Sequence, residues 1–252
     1  SITMRKLLQF EFRKLRQQKS FYICCFLLIV FVLLSALLNK IILEHSADPI
    51  QAPTGTDGIT SALASGNITL IIGIFTALFV CEDFTDGIIK NIYAKGYSRN
   101  KVYFSKLIVV LFFSVIACVV CWLTGALAGS FLFESKILIN GHLMITLLTQ
   151  LLTILAYTCL FFAISTTFKK TGGAIAGCIV GPMLFSLVFN TVDSVLNFES
   201  LMLGKYWLDV FFGNLSKTNI SNETLLIALI MSSVYGIVFT SIGAIIHKRQ
   251  TI

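Results

Sequence analysis

The chain has 252 residues, 56% of them hydrophobic and only 12% charged, with a mean hydropathy of +0.89. That composition excludes an ordinary soluble domain. The net charge of +7 is not a nucleic-acid footprint, because the basic residues are sorted by loop along the chain.

Six long apolar runs dominate: Phe21 to Leu38, Ala62 to Cys81, Leu107 to Phe131, Leu143 to Ser165, Ala174 to Val192 and Leu225 to Ile246. Each is close to the roughly 17–25 residues a helix needs to cross the hydrocarbon core. Lys and Arg number six before the first run, five between the second and third, two between the fourth and fifth, and two after the sixth. The alternate gaps hold one, one and two. Basic excess marks cytoplasmic loops, which predicts an all-α integral membrane protein with six spans and both termini cytoplasmic. Every loop is short, so residues 1–252 read as a single transmembrane domain. The six basic residues ahead of an 18-residue first run mark a span rather than a signal peptide.

In chain order, residues 5–19 form a basic amphipathic segment in which Leu8, Phe12 and Leu15 share a face and Lys6, Arg13, Arg16 and Lys19 point elsewhere. It reads as a helix along the inner interface, either an anchor or a lever that also touches a cytoplasmic partner. The first outer loop, Asn39 to Ser61, carries Pro49, Pro53 and a Thr54-Gly55-Thr56-Asp57-Gly58 run, which predicts irregular structure. After the second run, Glu82 and Asp83 sit at its inner end, where solvation or pairing with the N-terminal helix are both open. Within the inner loop 82–106, Ile88, Ile89, Ile92 and Tyr93 fall at helical spacing opposite Lys90 and Asn91. That predicts a short amphipathic helix from about Thr85 to Ala94, closed by Gly96.

Gly125 and Gly129 make a small-residue stripe in span three. A stronger one, Gly173, Gly177 and Gly181, lies in span five just before Pro182; it allows close helix approach, within the chain or to a second subunit. The last outer loop, 193–224, holds Tyr206, Trp207, Phe211 and Phe212, which predicts short interfacial helices. The seven cysteines lie in or at the ends of the runs, with Cys118 and Cys121 read as packing residues, and no metal site is expected. Polar groups expected inside the spans are Asn67, Gln150, Tyr157 and Asn190.

At Glu82 and Asp83, Gly87-Ile88-Ile89-Lys90-Asn91, Gly96-Tyr97-Ser98-Arg99 and Lys106, the chain resembles the permease subunits of the ABC-2 type exporter family, with Ile88 where that family commonly has Thr. The topology, the amphipathic N-terminal helix and the aromatic last outer loop extend the resemblance over the whole chain. It implies a subunit of the bacterial cytoplasmic membrane that pairs with a second permease copy or a related permease. Two ATPase subunits would sit beneath it. Residues Thr85, Asp86, Gly87, Ile88, Ile89, Lys90, Asn91, Ile92 and Tyr93 would then form the main coupling helix, with Phe168, Lys169 and Lys170 as a minor contact. Helices one and five would face the partner copy.

The chain has no Gly-x-x-x-x-Gly-Lys-Ser/Thr: Gly96 to Lys101 and Lys170-Thr171-Gly172 both fail the pattern. No cofactor is therefore expected here, and ATP and Mg would belong to the partner ATPase. An intramembrane enzyme would need a buried catalytic pair that the spans do not offer. A secondary transporter or channel would be expected to carry mid-membrane charge, which is also lacking. The resemblance implies export of a hydrophobic or amphipathic cargo, an antimicrobial or toxin peptide being one class.

Overall fold

The computed structural model describes residues 4–45, 55–133, 140–196, 203–217 and 220–249. Pro49, Pro53 and Thr54 lie outside the described residues. The elements are α1 (Met4–Gln17), α2 (Lys19–His45), α3 (Gly55–Ser65), α4 (Ile68–Thr85), α5 (Ile88–Ala94), α6 (Arg99–Phe133), α7 (Gly141–Phe168), α8 (Thr171–Leu196), a 3-10 turn (Leu203–Tyr206), α9 (Leu208–Leu215) and α10 (Asn222–Arg249). Among the described residues six of these, α2, α4, α6, α7, α8 and α10, are long and apolar enough to cross a membrane.

Their burial sorts them into layers. In α7 and α4, 67% and 61% of the most apolar stretch is buried inside the chain, against 17% in α2 and 11% in α8. So α4 and α7 form the centre, α6 and α10 flank them, and α2 and α8 present long apolar faces outward. Phe75 stacks on Phe113 at a 3.7 Å ring separation, and Phe79, Phe161 and Phe162 continue the core. A lipid-exposed helix gains nothing by hiding Leu and Ile, so Leu33, Leu37, Met183 and Leu187 remain outside at no cost.

Three sequence expectations are corrected. The outer segment after α2 is not wholly irregular: α2 continues to His45, and α3 begins at Gly55. The second apolar run is two helices, because Asn67 adopts a left-handed φ of 50° between α3 and α4. The last outer loop does form short helices, but Trp207, Leu208 and Phe211 are buried against the bundle.

Why α3 folds back over α6 follows from side-chain size. A Cβ built on Gly58 would lie 2.8 Å from the Gly125 carbonyl oxygen, and one on Gly129 would lie 3.1 Å from Gly55 Cα. The backbones touch, so the weaker stripe of span three is the one that sets a helix position. In α8, a Cβ built on Gly177 or Gly181 would lie 2.7 or 2.9 Å from Ile164 of α7, and one on Gly173 would lie 3.3 Å from Phe168. That stripe packs on α7 of the same chain, which leaves the opposite face of α8 for anything beyond it.

Inside, hydrogen bonds pin the layers. Gln150 Nε2 donates to the carbonyls of Thr60 and Leu215, each at 2.8 Å, and Gln150 Oε1 accepts from Trp122 Nε1 at 3.1 Å. One amide thus ties α3, α6 and α9 to α7. Tyr157 donates to Asp209, which also accepts from Trp207 Nε1 at 3.0 Å. Ser114 pairs with Thr158 at 2.7 Å and Thr153 with Ser232 at 2.9 Å. Asn67 and Asn190, by contrast, are exposed.

Gly125→Val should lower thermal stability in detergent by about 1–3 kcal/mol, the range for overpacking. Gly172→Ala, where nothing lies within 4 Å of the added Cβ, should be neutral or stabilising by about 0.4–1 kcal/mol. Melting curves of the two purified variants check the contrast; equal melting would remove the close approach of α3 and α6 as a constraint.

Candidate functional site

The amphipathic N-terminal helix forms as expected, but its buried face is Leu7, Glu11 and Leu15, not Leu8, Phe12 and Leu15. Leu8 and Phe12 are half-buried. The buried set steps by four and four where the expected one stepped by four and three; Leu15 is common to both, and a carboxylate, Glu11, occupies the middle of the inward face. Glu11, Asp83 and Lys106 are all buried, at 0%, 0% and 2% exposure.

Their charges form an alternating chain. Lys106 Nζ lies 2.9 Å from Glu11 Oε1 and also bonds Asp83 Oδ2. Asp83 Oδ1 accepts from Lys14 Nζ at 2.6 Å, and Lys14 reaches Glu82 Oε2 at 3.1 Å. Gln18 Nε2 donates to the same Glu82 oxygen at 3.1 Å, and Lys14 also donates to the Phe79 carbonyl at 3.2 Å. Three carboxylates face two ammoniums. Glu11 Oε2 has no hydrogen-bond partner among the described residues, and burial, partly offset by Lys106, holds the Glu11 carboxyl above its ordinary pKa. The pairing of Glu82 and Asp83 with the N-terminal helix is therefore made by Lys14. Residues 4–17, 82–83 and 106 are fastened as one unit.

The 2–3 helix is shorter than its sequence pattern indicates. α4 runs to Thr85, Asp86 caps it, and Gly87 turns the chain at a φ of 68° before α5 begins at Ile88. Gly96, at φ 84°, turns it again toward α6. Ile89 and Ile92 are buried at 1% and 8%, but inside this chain: Ile92 clusters with Leu7 and Val102, with Ile88, Tyr93 and Tyr97 packed alongside. The outward face consists of Thr85, Asp86, Lys90, Asn91 and Ala94.

α5 is also clamped from the other end of the chain. Tyr93 OH hydrogen-bonds His247 Nε2 at 2.8 Å, and Arg99 Nη1 donates to the Lys248 carbonyl at 2.9 Å. Arg99 lies 5.9 Å from the Tyr93 ring centroid. No sequence pattern pointed to His247, because its partner is 154 positions away. Lys169, at the left-handed cap of α7 with φ 58°, lies within electrostatic reach of His247. Phe168 is 53% exposed and Lys170 is exposed. So α1, α5, the α7–α8 turn and the end of α10 meet at one end of the bundle. Beside α5, Phe10, Arg13, Gln17, Glu82, Asp86 and Ile88 border a cleft of about 470 Å³ between α1 and α5.

Asp83→Asn should cost about 3–5 kcal/mol, because it leaves buried Lys106 with one carboxylate fewer, whereas Glu11→Gln should cost far less. The sign with pH follows from the raised pKa of Glu11. The folded chain holds that proton more tightly than the unfolded one, so stability falls as pH rises from the ordinary glutamate range through the folded-state pKa. Glu11→Gln should flatten that fall. Melting temperatures across pH for the wild type and both variants test all three statements.

Two comparisons bear on this arrangement. The family model described as ABC-2 family transporter protein matches residues 7–193. A Bacillus subtilis (strain 168) protein named as the uncharacterized protein YhcI is 25% identical over 244 residues, covering 85% of this chain and 74% of that one. The matched span runs from the Leu7 contact of α1 through all three carboxylates, α5, Lys106 and nearly all of α8. The chain belongs to the ABC-2 family of transporter membrane proteins.

Proposed function

We propose that this chain is the transmembrane permease subunit of an ATP-driven exporter, and that it is energised by a separate ATPase docking at the α1–α5 end. The observation that carries the reading is the shared end itself. α5 shows a polar outward face beside an open cleft, and its inward face is fixed to α1, α6 and α10. A push on such a plate moves three helices together, which is what coupling hydrolysis to a change of access requires. The skewed basic residues support placing this end in the cytoplasm.

A second copy completes the path. α8 turns outward a face that is apolar at Met183, Leu187 and Val188 but carries Ser186, Asn190, Thr191 and Ser194, which with Asp209 of α9 line an open recess of about 520 Å³. Hydroxyls and an amide facing lipid are unfavourable, so this face suits a partner permease or a passage between two copies. The ion chain sits at one end of the bundle, and the interior polar groups described above are hydroxyls, amides, indoles and a phenol, with one carboxylate, Asp209, held by Tyr157 and Trp207. That favours a hydrophobic or amphipathic cargo, such as an antimicrobial or toxin peptide, over a bare cation.

Asn91→Trp, on the outward face of α5, should reduce co-purification of the ATPase by about tenfold, a change of roughly 1.4 kcal/mol. The permease's own stability should stay within about 0.5 kcal/mol. Ile89→Asp should reduce both, since it buries a carboxylate inside the permease. Undiminished ATPase capture by the Asn91→Trp protein would move the docking surface elsewhere. For sidedness, single cysteines at Lys95 and Lys170 in a cysteine-free background should label only after the cells are permeabilised, and one at Lys217 should label from outside. The reverse pattern inverts the orientation.

A further inference from the structure

Where α1 meets α2 and α6, the surface opens into a second recess, of about 500 Å³, on the side away from the coupling cleft. Its floor is Phe12, Leu15, Phe21, Phe112 and Ile116, and its lip is Arg13 and Arg16. Phe12 and Phe112 meet edge to face at 5.2 Å, and Phe21 meets Phe113 at 5.8 Å, so the walls are rigid rings. Phe112 stays 46% exposed. Along α6, Phe112 and Ile116 lie about 9 and 15 Å beyond Lys106 at 1.5 Å per residue. The recess therefore runs from the buried ion chain, at the level where the bundle leaves the membrane, well into the depth of one leaflet.

The lip is built and charged. Tyr22 OH donates to the Arg16 carbonyl at 2.9 Å, which fixes the end of α1 against the start of α2. Neither arginine forms an ion pair among the described residues, where the ion pairs are made by Lys14 and Lys106. Arg13 also borders the cleft that holds Glu82 and Asp86, whereas Arg16 does not. An apolar slot of acyl-chain depth beneath two guanidiniums matches one ligand chemistry: a negatively charged phosphodiester headgroup with hydrocarbon tails.

We infer that this recess is a binding site for an anionic glycerophospholipid, with an acyl chain along Phe112 and Ile116 and the phosphate between Arg16 and Arg13. The site rests on the six helices spanning a bilayer and does not depend on the ATPase reading, so a permease that captured no ATPase would leave it standing. It gives α1 a second hold on the bundle, opposite the ion chain on the other side of the same helix.

Native mass spectrometry of the purified chain, offered phosphatidylglycerol or phosphatidylcholine of equal chain length, tests it. One phosphatidylglycerol per chain should be retained in preference to phosphatidylcholine. Arg16→Ala should cut that preference about fivefold, and Arg13→Ala with Arg16→Ala further. Lys95→Ala with Lys101→Ala, exposed cations at the same end, should leave it unchanged. Ile116→Trp, which fills the slot, should lower retention of both lipids. Equal retention of the two lipids by the wild type, or an equal loss in the Lys95/Lys101 control, overturns the inference. So does efficient disulfide formation between copies carrying Phe112→Cys, which would make this face a seam between subunits. The wild-type comparison and the lysine control decide the matter even if Ile116→Trp fails to fold.

Discussion

A lysine buried at 2% exposure between two fully buried carboxylates is the constraint on which the α1–α5 end of this molecule depends. Each of the three ions gives up several kcal/mol of hydration, which attraction in a low-dielectric site recovers only with close, well-placed partners. Lys106 has both partners, and Asp83 has two cations. Glu11, at the end of the chain of charges, has one contact and an unpartnered oxygen, and it is the group whose proton affinity is raised. Because these residues come from α1, α4 and α6, the amphipathic helix cannot leave the bundle without stranding a charge. A membrane-surface helix held only by its apolar face would slide far more easily.

The opposite end relies on a different device. There the backbones of α3 and α6 touch through glycine, and Gln150 ties α3, α6 and α9 to α7 through neutral hydrogen bonds. One end is thus stitched by charge at the edge of the bilayer and the other by close packing and amides. This division follows from solvent: charge is tolerable near the headgroups and expensive deeper in.

The sequence made the six spans legible because membrane helices are written in composition and length, which need no knowledge of neighbours. Pairing of Glu82 and Asp83 with the N-terminal helix was one of two readings the sequence left open, since carboxylates at the end of an apolar run can be met by water or by the cations in which that helix is rich. Glu11 left a readable sign, an acid in register with Leu7 and Leu15 in an otherwise basic helix. The period alone, however, allowed Leu8 and Phe12 as the inward face. The isoleucines of the 2–3 helix were legible as buried, but not against what, because the pattern is the same for a socket in a partner and a socket at home. The Tyr93–His247 contact and the α3–α6 glycine contact depend on long-range proximity, for which one sequence carries no signal.

The two positive-φ glycines that bracket α5 have a mechanical consequence. Neither Gly87 nor Gly96 has any atom within 4 Å of where a side chain would begin, and what holds each turn is backbone hydrogen bonding, Lys90 N to the Gly87 carbonyl at 3.1 Å and Gly96 N to the Tyr93 carbonyl at 2.9 Å. Force applied to the seven residues between them crosses a glycine turn on its way along the peptide to α4 or α6. It also passes sideways, through Ile92 into α1 and Val102 of α6, and through Tyr93 into the last turn of α10. A stroke delivered at this plate would therefore be felt together at the two ends of the polypeptide and at the first turn of α6.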